Sequence, residues 1–169
     1  MKRIQSLIIS IALLLFLTGC GSAMTSSEAL IEKARTVIPI ADAETAEIRL
    51  IGQIETEDAD VLIWFMSGNE HQAHYYLPME CTINARNAYE YVRVGKPYES
   101  GTDIVVYPWK NGYAFVINNP NCKSIQITDE AGTDCIEIPG EDAYPYVFYR
   151  EKAPVSYRFL DAFGNELHQ

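Results

Sequence analysis

Two histidines and one cysteine come closest to a constellation that could do chemistry. His71 and His74 form an H-x-x-H, and Cys81 lies seven residues beyond the second. A thiolate beside an imidazole is a nucleophile arrangement. One reading of the chain is therefore a hydrolase using Cys81 with His71 or His74. Against it, the surrounding LPMEC offers no Gly-rich oxyanion turn and no helix N-terminus to lower the thiol pKa. The segment itself reads as a strand, where residues three apart point to opposite faces. His71 and His74 are then not expected to share a metal, and His168 lies near the last residue. No G-x-S-x-G, S-x-x-K, H-E-x-x-H, Walker loop or G-x-G-x-x-G occurs. No catalytic residue, metal ligand or cofactor is expected from motifs.

Carboxylates cluster at Glu55, Glu57, Asp58 and Asp60, and again at Asp129, Glu130 and Asp134. Calcium takes six to eight oxygens, so a calcium-stabilised module is a further alternative. The EF-hand pattern with its central glycine is missing, and solvated turns that blunt sheet edges explain the same residues. Tyrosine carries more information. All eleven tyrosines lie between Tyr75 and Tyr157. Tyrosine combines a large apolar area with a polar tip and suits recognition surfaces. It also forms cross-strand pairs that stabilise any antiparallel sheet. Tyr144, Tyr146 and Tyr149, in AYPYVFYR, are the candidate ligand-binding residues. Tyr144 and Tyr146 are expected on one strand face and Tyr149 on the other.

The elements that must position these groups are mostly strands. One helix is signalled by the capping box at Thr25 and Glu28. An apolar stripe of Leu30, Ile31, Ala34, Val37 and Ile38 follows, and Pro39 closes it. Its polar face carries Glu32 with Lys33 and Arg35, so packing on a sheet is expected over lying on lipid. Ile48, Leu50 and Ile54 alternate with polar residues, as in a half-buried strand. Residues 61–66 (VLIWFM) are apolar on both faces, as in a central strand. Residues 47–77 read as a three-stranded meander, and 78–88 as an irregular stretch. A strand at 89–94 follows, then a hairpin about Asn111-Gly112 in which Pro108 marks an edge. Two more hairpins are expected: 124–138, turning near Ala131-Gly132, and PYVFYR against VSYRFLD. The fold class expected is mainly β with one helix: an antiparallel sandwich or barrel-like sheet with an N-terminal amphipathic helix.

Cys81, Cys122 and Cys135 are expected to be ordinary buried cysteines, since free cysteine packs as a small hydrophobe. In the expected hairpin Cys135 faces roughly Ile127 and Cys122 lies beyond the strand end, so a bridge between them is not anticipated. The 169 residues are 48% hydrophobic, enough for a packed core, and carry a formal net charge of −10. That acidity argues against a nucleic-acid partner and against binding anionic lipid by charge.

The first twenty residues give an address. Lys2 and Arg3 precede an apolar run from Leu7 to Leu17, interrupted only by Ser10. Such a run reaches about 16 Å as a helix, against about 30 Å of bilayer core, and reads as a signal-peptide h-region. It ends in Leu17-Thr18-Gly19-Cys20, which resembles the lipobox of bacterial lipoprotein precursors. The resemblance implies a signal peptide over 1–19 and lipidation of Cys20. It further implies a tether over 20–25, one β-rich domain over 26–169, and anchorage to the cell membrane on its extracytoplasmic face. Two acyl chains give stable anchoring without any membrane-binding surface on the domain. The rest of the chain is similar to small bacterial surface lipoproteins. Its closing Tyr157-Arg158-Phe159-Leu160-Asp161 and Gly164-Asn165-Glu166 also resemble immunoglobulin-like bacterial domains. The function expected is a non-enzymatic recognition module for an envelope protein or glycan.

Overall fold

The computed structural model describes residues 23–41, 43–68 and 74–167. Cys20, the apolar run before it, His71 and His168 lie outside the described residues. Among the described residues one α-helix, α1 (Ser27–Val37), precedes twelve strands. These are β1 (Ile48–Glu55), β2 (Asp60–Ser67), β3 (His74–Ile83), β4 (Tyr89–Val94), β5 (Tyr98–Ser100) and β6 (Ile104–Trp109). They continue as β7 (Gly112–Ile117), β8 (Ser124–Asp129), β9 (Gly132–Glu137), β10 (Tyr146–Arg150), β11 (Ser156–Leu160) and β12 (Glu166–Leu167). Three sheets result, in the orders β1-β2-β3-β4 with β5 on β3, then β10-β7-β6, then β12-β11-β8-β9. Every pairing is antiparallel.

Side-chain alternation stacks these sheets into layers. Val61, Ile63 and Phe65 of β2 enter a core with Leu30, Ala34 and Ile38 of the helix region. Leu62, Trp64 and Met66 face the other way and pack with Val105, Trp109, Ala114 and Val116 of the second sheet. The second sheet is covered on both faces in turn, because Ile104, Phe115 and Ile117 pack with Ile125, Ile127 and Phe159 of the third. The result is a helix on a three-layer β-sandwich. Each large side chain buried in these cores contributes about 1.5–3 kcal/mol. Runs such as VLIWFM exist because their strands have a layer on both sides.

The helix packs on the sheet, as its stripe predicts, but its cap lies one residue later than expected. Ser26, not Thr25, is the N-cap, and its hydroxyl accepts from the Ala29 N–H at 3.3 Å. Ile38 is extended at the C-terminus, as a residue before proline must be. β3 runs on through Pro78 to Ile83, so the irregular stretch expected over 78–88 shrinks to the turn 84–88. Pro78 is tolerated because β5 pairs with the start of β3 and β4 with its end. Between them the Pro78 carbonyl accepts from Gly95 N–H at 2.9 Å, so the missing N–H points into the same gap.

Two of the three anticipated hairpins keep their strands but turn one residue early. Trp109 pairs with Gly112, and Asp129 with Gly132. Gly112 is required for a reason other than the turn: a Cβ there would sit 1.8 Å from the Arg150 carbonyl oxygen. Cys135 consequently faces Gln126 rather than Ile127, and it is exposed, correcting the expectation that all three cysteines are buried. The last expected hairpin does not form. β10 pairs with β7 in the middle layer and β11 with β8 in the outer one. β10 is apolar on both faces and needs two covering layers, whereas β11 alternates exposed Ser156 and Arg158 with the more buried Tyr157 and Phe159.

Candidate functional site

The end of the first sheet where β2 finishes and β3 begins gathers the groups of most interest. Ser67 and Tyr75 are cross-strand partners here, on the helix side of the sheet. They face the loop that leaves α1 after Pro39. Arg35 ties that loop down, its Nη1 donating to the carbonyls of Ala43 at 3.0 Å and Ala46 at 2.7 Å. Between these parts lies an open cleft of about 750 Å³, with Pro39, Thr45, Glu47, Ser67, Tyr75 and Pro97 among its walls. Tyr75 is 38% exposed and Ser67 is buried. Glu47 is the charged side chain on this wall among the described residues, and Arg49 lies 3.8 Å from it.

The opposite face of the same strand end carries a hydrogen-bonded trio. His74 Nδ1 lies 2.9 Å from Asp103 Oδ1, and the Tyr76 hydroxyl donates to the same oxygen at 2.6 Å. Tyr76 is fully buried, and desolvation, reinforced by the hydrogen bond to Asp103, pushes its hydroxyl far above the usual tyrosine range. Asp103 sits in the left-handed region at φ 55°, a conformation that costs a non-glycine residue energy and is retained where surroundings over-determine it. A carboxylate on Nδ1 is the orientation a catalytic imidazole adopts. The hydroxyl opposite His74 belongs to Ser100. That hydroxyl is engaged with Ile104, donating to its carbonyl at 3.0 Å and accepting from its N–H at 3.2 Å. The trio clamps β3 to the loop between β5 and β6.

The hydrolase pairing of Cys81 with His74 does not form. Seven residues of strand separate them by about 23 Å and place them on opposite faces. Cys81 is 1% exposed in the helix-side core. Burial pushes its thiol up to about 11, with Lys33 pulling weakly the other way. His71 lies outside the described residues.

Tyr144, Tyr146 and Tyr149 are half-buried. Tyr144 and Tyr146 pack into the core against the third sheet, and Tyr149 into the core against the first. The Tyr144 hydroxyl donates to the Cys122 carbonyl. The Tyr149 hydroxyl donates to the Trp109 carbonyl at 3.1 Å, and its ring stands edge-on to Trp109 at 5.1 Å. Part of each carboxylate cluster is drawn into ion pairs. Asp60 meets Lys110, and Arg150 bridges Asp129 at 2.6 Å and Asp134 at 2.8 Å. Among the described residues no group of three or more His, Cys, Asp or Glu is placed to hold a metal ion.

Tyr75 and Asp103 were not legible as site residues. Tyr75 carried only the general tyrosine signal, and Asp103 meets His74 through a pairing 29 residues long in sequence. The chain matches no protein family, no curated protein and no solved structure.

Proposed function

We propose that this chain is a lipoprotein anchored through Cys20 on the extracytoplasmic face of a cell membrane. Its β domain acts as a non-enzymatic recognition module that takes a neutral envelope glycan in the cleft beside Tyr75. The observation that carries the reading is the wall of that cleft. An accessible tyrosine ring, two prolines, the hydroxyls of Thr45 and Ser67 and the carboxylate of Glu47 meet there. A sugar offers a C–H face that stacks on an aromatic ring and hydroxyls that donate to a carboxylate. The net charge of −10 disfavours an acidic polysaccharide. Tyr144, Tyr146 and Tyr149 contribute to the cores on this reading, and recognition moves to Tyr75.

The test is calorimetric titration of the domain with neutral oligosaccharides released from the envelope. Tyr75→Ala is expected to weaken binding about tenfold, equivalent to about 1.4 kcal/mol, with an unchanged melting temperature. Binding indifferent to Tyr75→Ala overturns the cleft. Saturable binding of an envelope protein in place of any sugar replaces the glycan by a protein partner. The anchor is tested separately: Cys20→Ala should release the chain from the membrane fraction, and mass spectrometry should find acyl chains on Cys20 of the unaltered protein.

A further inference from the structure

Met24, inside the stretch that the sequence suggests is a tether, is built into the fold. Its side chain is 5% exposed within the helix-side core. Its backbone pairs with Tyr89 at the start of β4, donating at 3.2 Å and accepting at 2.8 Å. Only Gly21, Ser22 and Ala23 separate Met24 from Cys20. Four residue steps span at most about 14 Å when fully extended.

The strands then say which end of the domain this is. Tyr89 neighbours the turn 84–88, and the Ile83 N–H donates to the Ala59 carbonyl in the turn between β1 and β2 at 2.9 Å. The Tyr89 hydroxyl reaches Gln53 near the end of β1 at 3.0 Å. The cleft lies at the other end of the same strands. From the pair Asp60–Thr82 to the pair Ser67–Tyr75 is seven steps, about 23 Å. The helix runs the same way, from Ser27 beside Met24 to Val37 beside the cleft.

Resting on the lipid-anchor reading, we infer that the domain stands on end at the membrane. The turns 56–59 and 84–88 meet the lipid headgroup layer, and the cleft beside Tyr75 faces away from it. The tether sets this arrangement, because it is shorter than the domain is long. Adhesion does not. The membrane-facing end carries exposed Glu55, Glu57 and Asp58 against Arg86, with Asp60 already paired to Lys110. That end suits a zwitterionic headgroup layer and is repelled by an anionic one. A ligand in the surrounding wall or matrix then meets the open cleft without competition from lipid.

The test uses the full lipidated chain in phosphatidylcholine vesicles doped with headgroup-nitroxide lipid. A Cys135→Ser background removes the exposed thiol, and Cys81 and Cys122 remain buried. A fluorophore is placed on Arg86→Cys or on Glu44→Cys, both exposed positions. Quenching is expected to be at least fivefold stronger at position 86. A ten-residue Gly/Ser insertion between Ser22 and Ala23 is expected to erase the difference. Equal quenching in the uninserted chain, or stronger quenching at 44, overturns the orientation. A difference that survives the insertion overturns the tether as its cause. Mass spectrometry of the same sample separates the two levels. An unmodified Cys20 removes the anchor and the orientation together, whereas an acylated Cys20 with equal quenching removes only the orientation.

Discussion

Thiol labelling of the native domain tests the placement of all three downstream cysteines at once. Cys81 is 1% exposed and Cys122 0%, while Cys135 stands exposed on the edge strand β9. Two routes could modify Cys81. Direct attack in the folded state is limited by its thiolate population. With the thiol pushed to about 11 from the 9.0 of a free group, that population is about 100-fold below that of a free thiol at neutral pH. Steric exclusion in the core adds to this. The second route is opening of the first sheet, after which the thiol behaves as a free one. Domain stabilities begin at about 5 kcal/mol, so opening to expose the strand centre slows modification about 4,000-fold. Either route leaves Cys81 at least about 100-fold slower than Cys135. The assay is a chromogenic disulfide reagent at neutral pH, followed by peptide mapping. One fast thiol at Cys135 and two that react only in denaturant are expected. Modification of Cys81 within tenfold of Cys135 refutes the burial argument and revives Cys81 as an accessible nucleophile.

Two further perturbations probe how the layers are joined. Arg150 holds Asp129 below the usual carboxylate range, chiefly through their hydrogen bond. That contribution is fully present above the ordinary value of 3.8 and is lost as pH falls through the lower folded value. Urea midpoints at pH 7 and pH 3 should therefore fall further for the native chain than for Arg150→Met; equal falls would remove Arg150 as the cause. Gly52 of β1 lies under Val147 of β10, and an added Cβ would sit 2.8 Å from Val147 Cγ2. Gly52→Ala should cost about 1–3 kcal/mol by overpacking, and Val147→Ala should recover part of that in the double variant. Simple additivity in denaturant melts would show that the two sheets do not touch there.

The anchor and the cleft fit one arrangement. On the lipoprotein proposal, acyl chains on Cys20 hold the chain at the membrane, and no membrane-binding surface is required of the folded body. The exposed carboxylates of Glu55, Glu57 and Asp58 lie at the Met24 end of the first sheet, and the exposed ring of Tyr75 lies at the other end.

What was legible in the sequence follows from local physics. The helix, its stripe and its stop at Pro39 depend on residues within four positions of one another. So do the alternating strands, the edge position of Pro108 and the doubly buried VLIWFM. Antiparallel β class follows from short strands and turn residues alone. The tertiary structure decided what depends on distant partners. PYVFYR and VSYRFLD look like a hairpin because they are neighbours, yet one needs two covering layers and the other one, so they separate into different sheets. The difference in their two-face patterns was present in the sequence, but only the stack of three sheets makes it decisive. Tyr144, Tyr146 and Tyr149, neighbours in sequence, are dealt out between two cores by the same alternation. His74 finds Asp103, not Cys81, because a strand carries residues 74 and 81 to opposite faces and opposite ends. The cleft has no sequence signature, since it is the space left where the α1 exit loop, the β2–β3 end and Pro97 fail to fill one corner of the first layer.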